Sequence, residues 1–175
     1  GAQLGPLACF SQRDFVEGMV DSARRQGGEI LAGGSRPAEA RLAKGAFYLP
    51  TLVMGLANTA SVVQQEIFGP VLCILPFDNE ENLIAQANQT VYGLAAGIWT
   101  ADYKRAWRVA RALEAGTVWI NTYKQLSIAA PFGGFKDSGL GREKGVQAIR
   151  NYQQAKSIYW SMSDGFDGGF SMAKK

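Results

Sequence analysis

Few side chains in this sequence could carry covalent or metal chemistry. The 175 residues contain no histidine, which excludes a histidine general base, Ser-His and Cys-His catalytic pairs and most zinc sites. The two cysteines, Cys9 and Cys73, are far apart and lack metal-ligand spacing. Cys73 lies in an apolar tract, where burial raises the pKa of a thiol and limits its access. We therefore expect structural roles for both cysteines and no metal site.

A glycine-rich tract, GFKDSGLGRE at residues 134–143, is a second candidate for chemistry. Its glycines expose backbone N–H groups, and Lys136 and Arg142 are cationic, as in a phosphate cradle. However, the tract does not follow a strand and open a helix, which is the dinucleotide-binding pattern. The sequence favours a structural loop here.

Composition indicates one soluble globular domain. Hydrophobic residues make up 47% and charged residues 19%, and the net charge of +3 is too small and too dispersed for a nucleic-acid surface. No apolar run is long enough to span a membrane, and the scarcity of cysteine suits a reducing, cytoplasmic setting. The sequence starts GAQLGPLA without methionine, which we interpret as a truncation.

The N-terminal third contains a helix and two extended segments. Ser11 and Asp14 have the spacing of a capping box, and Gly27-Gly28 is expected to end the helix that follows. A strand is predicted at Glu29–Ala32. FYLPTLV (residues 47–53) also has an extended pattern, and Pro50 within it indicates a sheet edge or a break.

The middle of the chain predicts an α/β fold with a parallel βαβαβ sheet covered by helices. Strands and helices alternate with short links, the arrangement of a right-handed parallel unit. One helix is expected to be capped by Asp78 with Glu81. The predicted strands are 71–77, 94–100 and 117–121, and the second helix covers about 102–114.

The C-terminal part is less regular. Residues 122–145 predict an ordered loop, a kind that is often functional, and a short helix follows at 145–150. NYQQAKSIYW (Asn151–Trp160) is predicted as a strand outside the core. We therefore divide the chain into a domain at 1–150, an arm strand at 151–160 and a flexible tail at 161–175.

Three tracts together resemble the aldehyde dehydrogenase superfamily: EIFGPV (Glu66–Val71), LEAGTVWIN (Leu113–Asn121) and PFGGFKDSGLGREKG (Pro131–Gly145). The likeness runs from about Gly5 to Trp160. It implies a Rossmann-like cofactor domain, a thiol-bearing catalytic domain and an oligomerisation arm, of which this chain supplies the later catalytic part and the last arm strand.

The resemblance implies oxidation of an aldehyde to a carboxylic acid with NAD or NADP through a cysteine thioester. The family's nucleophile and general-base glutamate have no counterpart in this sequence, so it holds no catalytic residue. We expect the isolated polypeptide to be inactive. The alternatives are a non-catalytic binding or oligomerisation module and, less favoured, a reductase acting on acyl phosphates or acyl-CoA.

Five positions are candidate site residues. Four follow from the resemblance, and Asn121 follows from its place in the predicted sheet. Glu66 is implied to bind the nicotinamide ribose and Phe68 to pack beside the nicotinamide. Phe132 and Leu126 are implied to line the aldehyde tunnel, although Leu126 is nearly as well explained by loop packing. Asn121 lies at a strand end, where open α/β sheets bind ligands. The aldehyde itself stays open, and Asn151–Trp160 implies a homo-oligomer built by strand addition.

Overall fold

A computed structural model describes residues 4–162 of the chain. Four α-helices, seven strands and two 3-10 helices alternate along it. The helices are α1 (Phe10–Arg25), α2 (Ser61–Gln64), α3 (Glu80–Asn88) and α4 (Tyr103–Ala112), with 3-10 turns at Ala40–Leu42 and Val146–Tyr152. The strands are β1 (Glu29–Ala32), β2 (Thr51–Met54), β3 (Val71–Ile74), β4 (Tyr92–Gly93), β5 (Ala95–Ile98), β6 (Thr117–Ile120) and β7 (Phe135–Lys136). The α/β class is confirmed.

The main core lies between α1 and the first sheet. Val16 and Val20 on one face of α1 are fully buried, and they pack in one cluster with Val53 of β2, Val62 of α2 and Ile67. Burying this apolar surface is the main force that holds α1 to the sheet. The helix is therefore a firm base for the residues that contact it.

The first sheet has the order β1-β2-β3, with β1 antiparallel and β3 parallel to β2. Pro50 indicated either a sheet edge or a break in the FYLPTLV segment. The edge is wrong, because β2 is the central strand, and the break is confirmed, because β2 begins only at Thr51. Pro50 directly precedes β2 rather than lying within it, so its missing N–H does not interrupt the ladder. The first ladder bond runs from the Thr51 amide to the Pro70 carbonyl at 2.8 Å.

The second half of the predicted βαβαβ unit is present. Strands β5 and β6 are parallel neighbours joined through α4, with Ala95 opposite Thr117 and Ile98 opposite Ile120. The first half is wrong, since β3 pairs with β2 and not with β5 among the described residues. An apolar run indicates that a strand is buried but does not specify its neighbour, and this is why the predicted single sheet fails.

Of the three helix starts predicted from the sequence, the one at about residue 102 agrees with the structure, which also shows its cap. Asp102 caps α4, accepting from the Lys104 and Arg105 amides at 2.9 and 3.1 Å. The cap of α3 is Asn79, one residue after the predicted Asp78. The Ser11/Asp14 box is not formed, because α1 already begins at Phe10.

The C-terminal segment differs from its prediction. Residues 146–152 form a 3-10 helix and 153–162 form no strand within the described part. An extended segment becomes a strand only beside another edge, and none reaches it here. Residues 163–175 of the predicted tail lie outside the described residues, and the domain boundaries stay a prediction. No helix among residues 4–162 is both long and apolar enough to cross a membrane.

Candidate functional site

The EIFGP tract (residues 66–70) connects α2 to β3 and presents alternate side chains outward. Ile67 is buried in the core, whereas Glu66 and Phe68 on either side of it are exposed. The Phe68 ring is 79% exposed, and its φ of +50° lies in the left-handed region that side chains rarely adopt. A large apolar ring held outward in a strained conformation is a feature of binding sites rather than of cores.

Helix α1 contacts the backbone of the tract and fixes its position. The side-chain amide of Gln12 donates to the carbonyl oxygens of Ile67 at 2.9 Å and Phe68 at 3.2 Å. Gly69 lies so close to α1 that an added Cβ would be 2.5 Å from Cγ2 of Val16. The glycine therefore allows the tract to rest on the helix.

Glu66 lies in an open groove of about 390 Å³ that the tract shares with two other segments. Tyr92 and Leu94 come from the β4 region, and Asp137 and Ser138 come from the loop after β7. The Ser138 hydroxyl accepts from the Gly93 amide at 2.9 Å, which joins the two walls. Among residues 4–162, the Glu66 carboxylate has no hydrogen-bond or ion-pair partner, so its oxygens are available to a ligand.

The two predicted tunnel residues lie on one ordered loop. Phe132 is half-buried, and its backbone exchanges two hydrogen bonds of 2.7 Å with Glu143 at the other end of the glycine-rich loop. Leu126 is about half exposed, next to Gln125, whose carbonyl accepts from the Trp119 indole at 2.8 Å. Neither residue lines the groove around Glu66.

Asn121 is already engaged within the chain. Its φ is +53°, and its amide both accepts from the Thr100 N–H and donates to the Thr100 carbonyl, each at 2.9 Å. These bonds tie the end of β6 to the end of β5. This pairing favours a structural role for Asn121, and contact with a substrate stays a prediction.

Comparison with known proteins identifies the fold. The profile of the Aldehyde dehydrogenase family matches residues 1–158. The chain belongs to the aldehyde dehydrogenase family. It is 42% identical over 160 residues to betaine aldehyde dehydrogenase of Sinorhizobium fredii, covering 91% of this chain and 33% of that protein. It is 44% identical to the Cereibacter sphaeroides enzyme of the same name, covering 91% and 32%.

Solved structures of aldehyde dehydrogenases superpose closely on this chain. The NAD+ complex of an aldehyde dehydrogenase from Bacillus cereus gives a TM-score of 0.85 at 42% identity, covering 93% of this chain and 32% of that one. A double mutant of betaine aldehyde dehydrogenase from Staphylococcus aureus in complex with NAD+ gives 0.90 at 36% identity, covering 97% and 34%. The chain thus spans about a third of the length of these relatives.

The two thiols of the chain differ in exposure and in the direction of their pKa shift. Burial raises the pKa of Cys73, which is half-buried beside a cavity of about 370 Å³. Cys9 is exposed at the N-terminal end of α1, where it is the N-cap residue, and its structural role stays a prediction. A hydrogen bond with the Ser11 hydroxyl, at 3.0 Å, is the main cause that lowers the pKa of Cys9.

The two cationic side chains of the glycine-rich loop bind groups of this chain itself. Arg142 donates to the carbonyls of Gly134 and Gly141 at 2.8 and 2.9 Å. Lys136 donates to the carbonyls of Asn88 and Thr90 and pairs with Glu114 at 2.5 Å. These contacts support the structural interpretation of the loop. Among the described residues, no group of three acidic or cysteine side chains is placed to hold a metal ion.

Sequence reasoning missed three participants in the site. Gln12 gave no signal, because it lies 55 residues before the tract that it contacts. Asp137 and Ser138 belong to a recognised tract, but the loop was assigned to structure alone. Their place opposite Glu66 depends on the short pairing of β4 with β7, which two-residue strands do not reveal in sequence.

Proposed function

We propose that this chain forms the nicotinamide-facing part of an NAD+-dependent aldehyde dehydrogenase. The observation that carries the proposal is the tract in which Glu66 and Phe68 project from a firmly held backbone. Relatives named betaine aldehyde dehydrogenase and NAD+ complexes of similar structures support it. NAD is the expected cofactor, and NADP is the alternative.

The exposed side chains suit the nicotinamide half of such a cofactor. A carboxylate with unpaired oxygens can accept hydrogen bonds from both hydroxyls of a ribose, which is the role proposed for Glu66. An exposed ring can pack beside a flat heterocycle, which is the role proposed for Phe68. When bound, the nicotinamide takes up the hydride of the aldehyde. The chain's own contribution is to hold the ring and ribose in place.

Phe132 and Leu126 are proposed to line the path of the aldehyde. Phe132 is held by its bridge to Glu143, and Leu126 lies earlier in the same segment, next to the Gln125 carbonyl that accepts from the Trp119 indole. Apolar walls would exclude water from the carbonyl that reacts. Betaine aldehyde, the substrate in the names of the bacterial relatives, is the first aldehyde to assay.

We also propose that the 175-residue polypeptide does not turn over aldehyde by itself. Neither thiol matches the family's nucleophile tract, and Cys73 is half-buried with a raised pKa. The alternative function, a binding or oligomerisation module, then applies to the isolated chain. NADH formation from betaine aldehyde by the pure polypeptide would contradict this proposal.

A titration with nicotinamide mononucleotide tests the cofactor role, because this probe contains the ring and ribose without the adenine half. We expect NMR shifts centred on Glu66 and Phe68, weakened by Glu66→Gln and by Phe68→Ala. Glu81→Gln and Tyr103→Ala are matched controls, since they remove an exposed carboxylate on α3 and an exposed ring on α4, away from the tract. Equal binding by all four variants would rule out the proposed site.

The arm is proposed to join copies of the protein. Residues 153–162 are exposed and include Ile158, Tyr159 and Trp160, which are apolar over most of their surface. Pairing with the edge of a sheet in another copy would bury these side chains and satisfy the backbone hydrogen-bonding groups of the segment. Homo-oligomerisation through Asn151–Trp160 is therefore part of the proposal.

A further inference from the structure

The direction of the Phe68 ring depends on a backbone conformation that the residue would not choose alone. Its φ of +50° lies in the left-handed region, where a Cβ crowds the following carbonyl. Relaxation toward an extended or right-handed conformation would swing the Cβ, and the ring with it, to another direction. Contacts around the residue must therefore maintain the observed geometry.

Gln12 acts directly on the two peptide groups that flank Phe68. Its Nε2 atom donates to the carbonyl oxygen before Phe68, on Ile67, at 2.9 Å and to that of Phe68 itself at 3.2 Å. One carbonyl precedes the φ bond and the other follows the ψ bond. Holding both oxygens at one point restrains both dihedral angles at once.

The donor is itself well anchored. Gln12 lies in the first turn of α1, one turn before the fully buried Val16. Val16 also contacts Gly69, the residue after Phe68, while Ile67 before it is buried. The core thus holds the neighbours of Phe68, and Gln12 supplies the polar contact at its own peptide groups.

We propose that Gln12 is a positioning residue that sets the orientation of the Phe68 ring toward a nicotinamide-bearing ligand. The role toward the ligand rests on the proposed function, whereas the restraint on Phe68 is a property of the chain alone. An uncharged amide suits this task, because its two hydrogens can serve two carbonyl acceptors. A carboxylate of the same length would place its oxygens against those carbonyls, and a methionine would fill the space without donating.

The restraint is tested by NMR on the full chain with Gln12→Glu and Gln12→Met. We expect the Phe68 HN–Hα coupling and Cα shift to leave the values of the left-handed region in both variants. Gln26→Met is the matched control, since Gln26 at the other end of α1 donates to the Ser22 carbonyl and the Ser61 hydroxyl at 3.2 and 3.0 Å. If the charged variant fails to fold, the methionine variant decides. Unchanged Phe68 signals in a folded Gln12 variant would overturn the inference.

The ligand role has a separate readout. We expect the dissociation constant for nicotinamide mononucleotide to rise roughly three- to tenfold in Gln12→Met. A change of this size corresponds to the net contribution of about one hydrogen bond. Gln26→Met should leave it unchanged. A reoriented Phe68 with unaltered affinity would overturn the ligand role of Gln12. Absence of binding by the wild-type chain would count against the proposed function, and the Phe68 coupling would still decide whether Gln12 restrains the ring.

Discussion

At the scale of single residues, the candidate site is shaped by what surrounds Phe68. Gly69 has no room for a side chain, and Phe68 is confined to a conformation with positive φ. Both features arise from the close approach of the tract to α1. The side chains of Glu66 and Phe68 are thus held outward because their neighbours pack against the core. These neighbours are not proposed to contact the ligand.

Gly69→Ala is expected to destabilise the chain by about 1–3 kcal/mol, because the new methyl group overpacks against fully buried Val16. Gly18→Ala, on the exposed face of α1 with nothing within 4 Å, should instead stabilise by about 0.5–1 kcal/mol. Urea unfolding followed by circular dichroism measures both. Equal effects of the two substitutions would show that Val16 gives way.

At the scale of elements, α3 and α4 are joined by charged side chains on their exposed faces. Both oxygens of Glu80 accept from Arg108, at 2.9 and 2.8 Å, and Arg105 lies 3.5 Å from the same carboxylate. The hydrogen bonds from Arg108 are the main cause that lowers the pKa of Glu80. The ion pair therefore joins two helices that also contact each other, and α4 in turn contacts β6.

The lowered pKa of Glu80 predicts a specific pH dependence. A carboxyl group with a depressed folded-state pKa stabilises the fold above its unfolded value of about 4.3 and loses that effect as the pH falls through the folded value. The urea midpoint of the wild type should therefore exceed that of Glu80→Gln near neutral pH, and the two should converge in acid. High salt should shrink the difference.

Glu81→Gln is the control for this prediction, because it removes the neighbouring charge in the same turn of α3. It should leave the acid dependence of the wild type largely in place. If Glu80→Gln and Glu81→Gln shift the midpoint equally, general charge rather than the Arg108 pair explains the effect.

At the scale of the whole molecule, several large apolar side chains outside the core are exposed. Tyr159 is 95% exposed and Trp160 is 82% exposed on the arm, and Leu140 is fully exposed on the glycine-rich loop. Large exposed apolar areas are typical of surfaces that contact another protein segment. The chain itself spans about a third of the length of the relatives that it matches.

The arm is expected to drive self-association. Ile158→Lys with Trp160→Lys should shift the chain toward monomer in size-exclusion chromatography with light scattering, because charges on an edge segment oppose strand addition. Leu140→Lys, a similar change on another surface, should leave the association state unchanged. A wild-type chain that is monomeric at high concentration would contradict the arm proposal.

The sequence by itself determined the features with local causes. Asp102 caps α4 because its carboxylate reaches amides two and three residues ahead, and Gly27-Gly28 ends α1 because glycine accepts positive φ. The Glu66–Pro70 tract is also identifiable from its amino-acid sequence, through the family resemblance. Each of these depends on a few adjacent residues, so a single stretch of sequence contains the whole cause.

Only the tertiary structure decided the features that join distant segments. It paired β3 with β2 rather than β5, placed Asp137 and Ser138 opposite Glu66, and brought Gln12 to the carbonyl groups around Phe68. Hydrophobic patterns state that a residue is buried but not what it is buried against. The side chains expected to bind were therefore predictable, whereas the contacts that orient them follow from packing across more than fifty residues of chain.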